Sequence, residues 1–191
     1  MALTHTPPGE LGSLCPDFDL PSTQGPRVRR DELRRAANGQ PTRAMLVMFI
    51  CNHCPYVKAI ETRLMELGEE FAQKDVRIVA ISSNDASRYP DDGFEKMREK
   101  NYPFPYLYDE SQSVAKAFGA VCTPDFFLYD ADFKLAYRGR LDDSWKEPAQ
   151  VTSRDLAGAI TALLQGMRPP RDQKSSMGCS IKWKPGQEPA I

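Results

Sequence analysis

Two cysteines separated by two residues, Cys51-Asn-His-Cys54, stand at the seam between two unlike patterns, and that seam constrains the fold more than any other feature. Upstream, Ala44-Met-Leu-Val-Met-Phe-Ile50 is apolar without alternation, as suits a strand covered on both faces. Downstream, Val57, Ile60, Leu64, Leu67 and Phe71 fall at helical spacing on one stripe, while Lys58, Glu61, Arg63, Glu66 and Glu70 face water. Val76 to Ile81 is apolar again, so residues 44–81 are expected to form a strand, a helix and a second strand. Such strands run parallel, with a right-handed crossover. Phe126 to Tyr129 and Leu135 to Tyr137, joined by Asp130-Ala-Asp132, predict a hairpin. A last helix is expected from Arg154 to Leu164, with Thr152 or Ser153 as its N-cap and Leu156, Ile160, Leu163 and Leu164 inside. Shorter helices are expected at Asp31 to Ala37, Asp91 to Lys100, and Ser111 to Phe118, the last ended by Gly119. The fold class is α/β.

A chain of 191 residues with 41% hydrophobic content can bury one sizeable core. The expected organisation is one domain over residues 1–165, including an N-terminal extension rich in Pro and Gly, followed by an extended C-terminal tail over residues 166–191. Within the extension, Phe18 to Leu20 reads as part of a loop or small hairpin. Twenty-five basic residues against 26 acidic ones provide no footprint for nucleic acid or an anionic membrane. The N-terminus lacks a charged start followed by an apolar run, and no stretch approaches the roughly 18 apolar residues of a membrane helix. The expected location is cytoplasmic. Five cysteines, Cys15, Cys51, Cys54, Cys122 and Cys179, do not make the dense even framework of a small secreted protein.

A CxxC at a helix N-terminus can close a small disulfide ring, and the unpaired amides and helix dipole there favour a thiolate, the nucleophile of exchange. Cys51, at the helix mouth, is expected to be the exposed attacking sulfur and Cys54 the resolving one. Pro55 loses little in the first turn, and His53, if protonated, would stabilise a neighbouring thiolate further. Half of a zinc site is the competing reading. A structural zinc needs four ligands, and no second CxxC or His pair accompanies this one, so no metal is assigned. Val121-Cys-Thr-Pro124 precedes the hairpin. A cis Thr123–Pro124 bond there would leave the Thr123 backbone free beside the sulfurs, where an extended peptide could pair as an added strand. Cys122 is expected to be a small buried hydrophobe near the dithiol. Cys179, in the tail, is a candidate resolving thiol, Cys15 is incidental, and Arg138 and Arg140 are expected to be solvated.

With these residues in place the chain resembles the thioredoxin superfamily, and within it the redoxin branch related to thiol-disulfide isomerases and to alkyl hydroperoxide reductase/thiol-specific antioxidant proteins. The resemblance spans about residues 10–165. It is carried by PDFDL at Pro16 to Leu20, FICNHCPYV at Phe49 to Val57, ISSND at Ile81 to Asp85 and CTPDFFLYD at Cys122 to Asp130. YRGRLDD at Tyr137 to Asp143 and SMGCSIKWK at Ser176 to Lys184 are similar to uncharacterised thioredoxin-like redoxins. The resemblance implies a central mixed sheet with helices on both faces, Cys51 and Cys54 as a redox pair, and Pro124 as the cis-proline. The chain departs from ordinary thioredoxins, which carry Trp before the dithiol and Gly-Pro within it. It departs from peroxiredoxins in having Cys51 where they carry Thr three residues before a peroxidatic Cys-Pro. The expected activity is thiol-disulfide exchange with protein or small-molecule disulfides, driven by an external thiol reductant and without a bound cofactor, since no nucleotide fingerprint is present. The alternatives are a thiol peroxidase acting on peroxide through the same cysteines and a copper or zinc carrier.

Overall fold

The computed structural model describes residues 3–189. In chain order the strands are β1 (Leu3–His5), β2 (Asp19–Leu20), β3 (Val28–Arg29), β4 (Ala44–Phe49), β5 (Val76–Ser82), β6 (Tyr106–Tyr108), β7 (Cys122–Thr123), β8 (Asp125–Asp130), β9 (Leu135–Arg138) and β10 (Met177–Ser180). The helices are α1 (Pro55–Phe71), α2 (Phe94–Arg98), α3 (Ser113–Phe118) and α4 (Asp155–Leu164). None is long and apolar enough to cross a membrane.

The main sheet has the order β6-β5-β4-β8-β9. β4 pairs parallel to β5 from Ala44↔Val76 to Phe49↔Ile81 and antiparallel to β8 from Ala44↔Asp130 to Phe49↔Asp125. Because side chains alternate along a strand, the central β4 supplies both faces of the molecule. Ala44, Leu46 and Met48 join the α1 stripe (Val57, Ile60, Leu64, Leu67, Phe71) and Leu156 and Ile160 of α4 in one core. Met45, Val47 and Phe49 join α3 and the N-terminal Phe18 and Leu20 in the other. Every residue of β4 is buried, which explains an apolar run with no period. A second, antiparallel sheet has the order β1-β10-β7, and β2 pairs with β3 as a small hairpin.

Several local expectations are corrected. Asp31 to Ala37 forms a 3₁₀ turn at Arg30–Arg34, which is too short and polar to bury more than Leu33. The helix expected at Asp91 to Lys100 is divided between a 3₁₀ turn at Pro90–Asp92 and α2, with Gly93 in extended conformation between them. The N-cap of α4 is Arg154 rather than Thr152 or Ser153. Those two hydroxyls instead donate to the Asp143 and Asp155 carboxylates. Within the tail, Met177–Ser180 is the middle strand of the second sheet, where no strand had been expected.

Candidate active site

β4 runs into Cys51, and α1 begins at Pro55, so Cys54 is the last residue before the helix. The Thr123–Pro124 bond is cis. β7 brings Thr123 against both sulfurs: Cys51 Sγ lies 3.2 Å from Thr123 Oγ1, and Cys54 Sγ lies 3.2 Å from the Thr123 carbonyl oxygen, to which it donates when protonated. Neither sulfur is at the surface. Cys51 is 1% exposed and Cys54 0%, which corrects the expectation of an exposed Cys51.

The two sulfurs sit in different fields. Cys54 is pulled down to about 4 by its hydrogen bond with Cys51, by the Val57 amide in the first helical turn, and by the backbone and side chain of Cys179. Cys51 is pushed well above the ordinary thiol range. Its hydrogen bond with Cys54, burial and the nearby Asp92 carboxylate all favour the neutral thiol. The fields around the pair thus favour the negative charge on Cys54 over Cys51.

Asp92 had no place among the residues expected from the sequence, yet it organises the loop between the cysteines. It is fully buried and accepts from the amides of Asn52 at 2.7 Å and His53 at 3.1 Å, from His53 Nδ1 at 2.5 Å and from Asn84 Nδ2 at 2.8 Å. A buried carboxylate is tolerable when so fully satisfied, and here its partners are the two residues between the sulfurs. Asn52 is held further by donation to the Asp91 carbonyl at 2.8 Å and acceptance from Tyr106 Oη at 3.2 Å. His53 stacks on Tyr89 with ring centres 5.0 Å apart. Its Nδ1 lies 3.9 Å from Cys51 Sγ, so the carboxylate is its nearer partner. Cys51, His53 and Asp92 present ligand atoms within 4.8 Å of one another, the one such group among the described residues. A cation there would have to displace the donors now on Asp92.

The ladder position expected for an added peptide strand is occupied by the chain itself. β10 pairs antiparallel with β7, with Cys179 opposite Thr123 and Ser180 opposite Cys122. On its other edge β10 is held by β1, with Leu3 opposite Cys179. Beyond the strand, Lys182 N donates to Asn84 Oδ1 at 2.8 Å, so Asn84 joins the tail to Asp92. Cys179 is 2% exposed and hydrogen-bonded to Cys54, and burial together with that sulfur raises it to about 11. A cleft beside this sheet is lined by Tyr56, Pro124, Trp145 and Met177 among others, but by none of the cysteines.

The remaining cysteines lie outside this contact set. Cys122 is fully buried, its thiol raised chiefly by burial, and its Sγ donates to the Pro124 carbonyl at 3.6 Å. Cys15 is buried in the second core and raised to about 12 by desolvation. Arg138 is not solvated: it is buried, pairs with the fully buried Asp125 at 2.8 Å, and covers the Phe127 ring. Arg140, half-buried, pairs with Asp155 at 2.6 Å.

The AhpC/TSA family matches residues 11–138. An uncharacterised conserved protein from Geobacillus kaustophilus is 45% identical with a TM-score of 0.88, the match covering 97% of this chain and 98% of that one. A hypothetical protein from Sinorhizobium meliloti is 40% identical with a TM-score of 0.87, covering 96% of this chain and 100% of that one. A putative thiol:disulfide interchange protein DsbE from Chlorobium tepidum is 19% identical with a TM-score of 0.62, covering 81% of this chain and 98% of that one, a likeness of fold. No curated protein matches.

Proposed function

The chain belongs to the AhpC/TSA family, with a thioredoxin-like fold, and from that premise we propose that it is a thiol-disulfide oxidoreductase working through Cys51 and Cys54. The observation that carries this reading is the shared sulfur site. Two buried cysteines at the mouth of α1 each lie 3.2 Å from an oxygen of Thr123, and their surroundings favour the charge on one of them. A thiolate attacks a disulfide sulfur to give a mixed disulfide, the second thiol attacks that bond, and a ring closes over the CxxC as the substrate leaves reduced. Cys54 is the better first nucleophile by its field, and Cys51, hydrogen-bonded to it, is the resolving partner. These roles are the reverse of those expected from helix position alone. An external thiol would reopen the ring. The substrate class is a protein or small-molecule disulfide, and the reducing power this needs agrees with a cytoplasmic setting.

Peroxide chemistry is the second reading, favoured by one feature. Cys54 is followed by Pro55 and has a strongly lowered thiol, so it has the thiolate character that oxidation to a sulfenic acid requires. One experiment separates the two. The fully reduced protein is mixed with a small oxidised disulfide and, separately, with hydrogen peroxide, and each single-turnover rate is compared with that of a free small thiol. Disulfide exchange is supported by a fast reaction with the disulfide that leaves Cys51 linked to Cys54, and by a peroxide rate close to the free thiol's. A peroxide rate orders of magnitude above the free thiol's overturns it in favour of the peroxidase.

A further inference from the structure

The tail strand β10 does more than close a sheet edge. It lies in the ladder beside Pro124, and the residue it places opposite Thr123 is a cysteine. Thr123 is also the residue whose hydroxyl and carbonyl contact Cys51 and Cys54. Paired residues of adjacent strands send their side chains to the same face, so Cys179 stands on the face where Thr123 meets Cys51 and Cys54, and all three cysteines lie in one buried cluster.

The fit is tight in a way that an incidental covering strand does not need. A Cβ added at Gly178 would lie 2.0 Å from the Thr123 carbonyl oxygen and 2.6 Å from its carbon, so only glycine lets the strand come this close. The approach is fixed on every side. Ser176 Oγ donates to the Pro124 carbonyl at 3.0 Å, Ile181 N donates to the Val121 carbonyl at 3.1 Å, and Thr6 N donates to the Ser176 carbonyl at 2.9 Å. Gln112 Nε2 donates to the Lys182 carbonyl at 2.9 Å, and Gln112 Oε1 accepts from Lys184 N at 2.7 Å.

We propose that Cys179 is a third exchanging cysteine, held by β10 as a built-in partner for Cys54. The proposal rests on the exchange reading above and extends it. When the Cys51–Cys54 ring is closed, the Cys179 thiol gives up its proton and its sulfur attacks Cys54 Sγ. The Cys54–Cys179 bond forms as the Cys51–Cys54 bond breaks. The electron pair leaves on Cys51, which takes up a proton and is released as a thiol. The step consumes no oxidant beyond the one that closed the ring. It passes the disulfide from the loop to the tail strand, which ties the strand covalently over the site and returns Cys51 to the reduced state.

The test uses the full reduced chain and an aromatic disulfide that releases a coloured thiolate. In Cys51→Ser, attack by Cys54 on the reagent releases the first equivalent, and attack by Cys179 on the resulting adduct is expected to release a second, with a Cys54–Cys179 link in the non-reducing peptide map. Cys51→Ser/Cys179→Ser is expected to stop after the first equivalent and keep the adduct. Gly178→Ala in the Cys51→Ser background is expected to keep the first release and lose the second, because the strand can no longer sit against Thr123. The proposal is overturned if Cys51→Ser retains the adduct like the double variant, if Cys54 is found joined to Cys122 instead, or if Gly178→Ala leaves the second release unchanged. The wild-type chain distinguishes the two readings. A Cys51–Cys54 link there without a Cys54–Cys179 link in the variant overturns only the proposal. A Cys54–Cys179 link in the variant supports the proposal whether the wild type comes to rest with Cys54 joined to Cys51 or to Cys179, and a wild type in which Cys54 forms neither link overturns both readings.

Discussion

At the scale of single residues the chemistry is decided by where one negative charge is allowed to rest. Cys54 has the Val57 amide and two thiols around it, and Cys51 has a buried carboxylate. Cys54 should therefore keep its thiolate down to about pH 4. The ultraviolet absorbance of the thiolate, lost in Cys54→Ser, is expected to persist through mild acid where an ordinary thiol with pKa about 8.5 is protonated. A folded-state pKa below the unfolded one adds stability above the unfolded value, and that contribution is lost as pH falls through about 4. Neutralising Asp92 removes the charge that opposes a Cys51 thiolate, so Asp92→Asn in a Cys54→Ser background is expected to speed alkylation of Cys51 at neutral pH. The gain is about tenfold for each unit the pKa falls, provided reagent access is unchanged. A rate equal to the parent's would remove Asp92 from the electrostatics of the site. The dithiol and Pro124 were legible in the sequence because spacing alone brings two cysteines to one helix mouth and a proline to one strand start. Asp92 and Asn84 were not, since they reach the site from separate loops and no local pattern marks an acceptor that will be buried.

At the scale of elements, legibility followed period and length. α1 was plain because its apolar stripe repeats over 17 residues, and β4 and β5 because fully buried strands leave unbroken apolar runs. β6 was missed because Tyr106-Leu-Tyr108 is three residues long behind a proline-broken stretch, too short to show alternation. β10 was missed for a different reason. Its Met-Gly-Cys-Ser sequence is shaped by the close approach to Thr123 rather than by a core, so it carries no strand signature of its own. Two substitutions test how these elements are held. Leu64, fully buried where α1 meets β4, should cost about 2–5 kcal/mol on Leu64→Ala, read by denaturant unfolding. Asp125→Ala leaves Arg138 buried without its carboxylate and should cost about 3–5 kcal/mol. A loss under about 1 kcal/mol would mean that Arg138 finds water or another partner when Asp125 is gone.

At the scale of the whole molecule, a five-stranded sheet sets the dithiol at the end of its central strand, and a three-stranded sheet made from both ends of the chain covers it. Leu3–His5 and Met177–Ser180, remote in sequence, pair with each other, and the second of them pairs with β7, which is why the site's covering was invisible to any reading of local pattern. The covering also explains how a dithiol can be buried and still have a defined partner beside it. The claim on which the rest depends is that Cys51 and Cys54 exchange with a disulfide substrate, and its most direct test is dithiothreitol-driven reduction of insulin disulfides by the full chain, with Cys51→Ser and Cys54→Ser as comparisons. The expected result is a rate well above that of the reductant alone, lowered in Cys51→Ser, where Cys179 still resolves, and falling to background in Cys54→Ser. A full chain no faster than dithiothreitol, or a Cys54→Ser variant that keeps the wild-type rate, would contradict it.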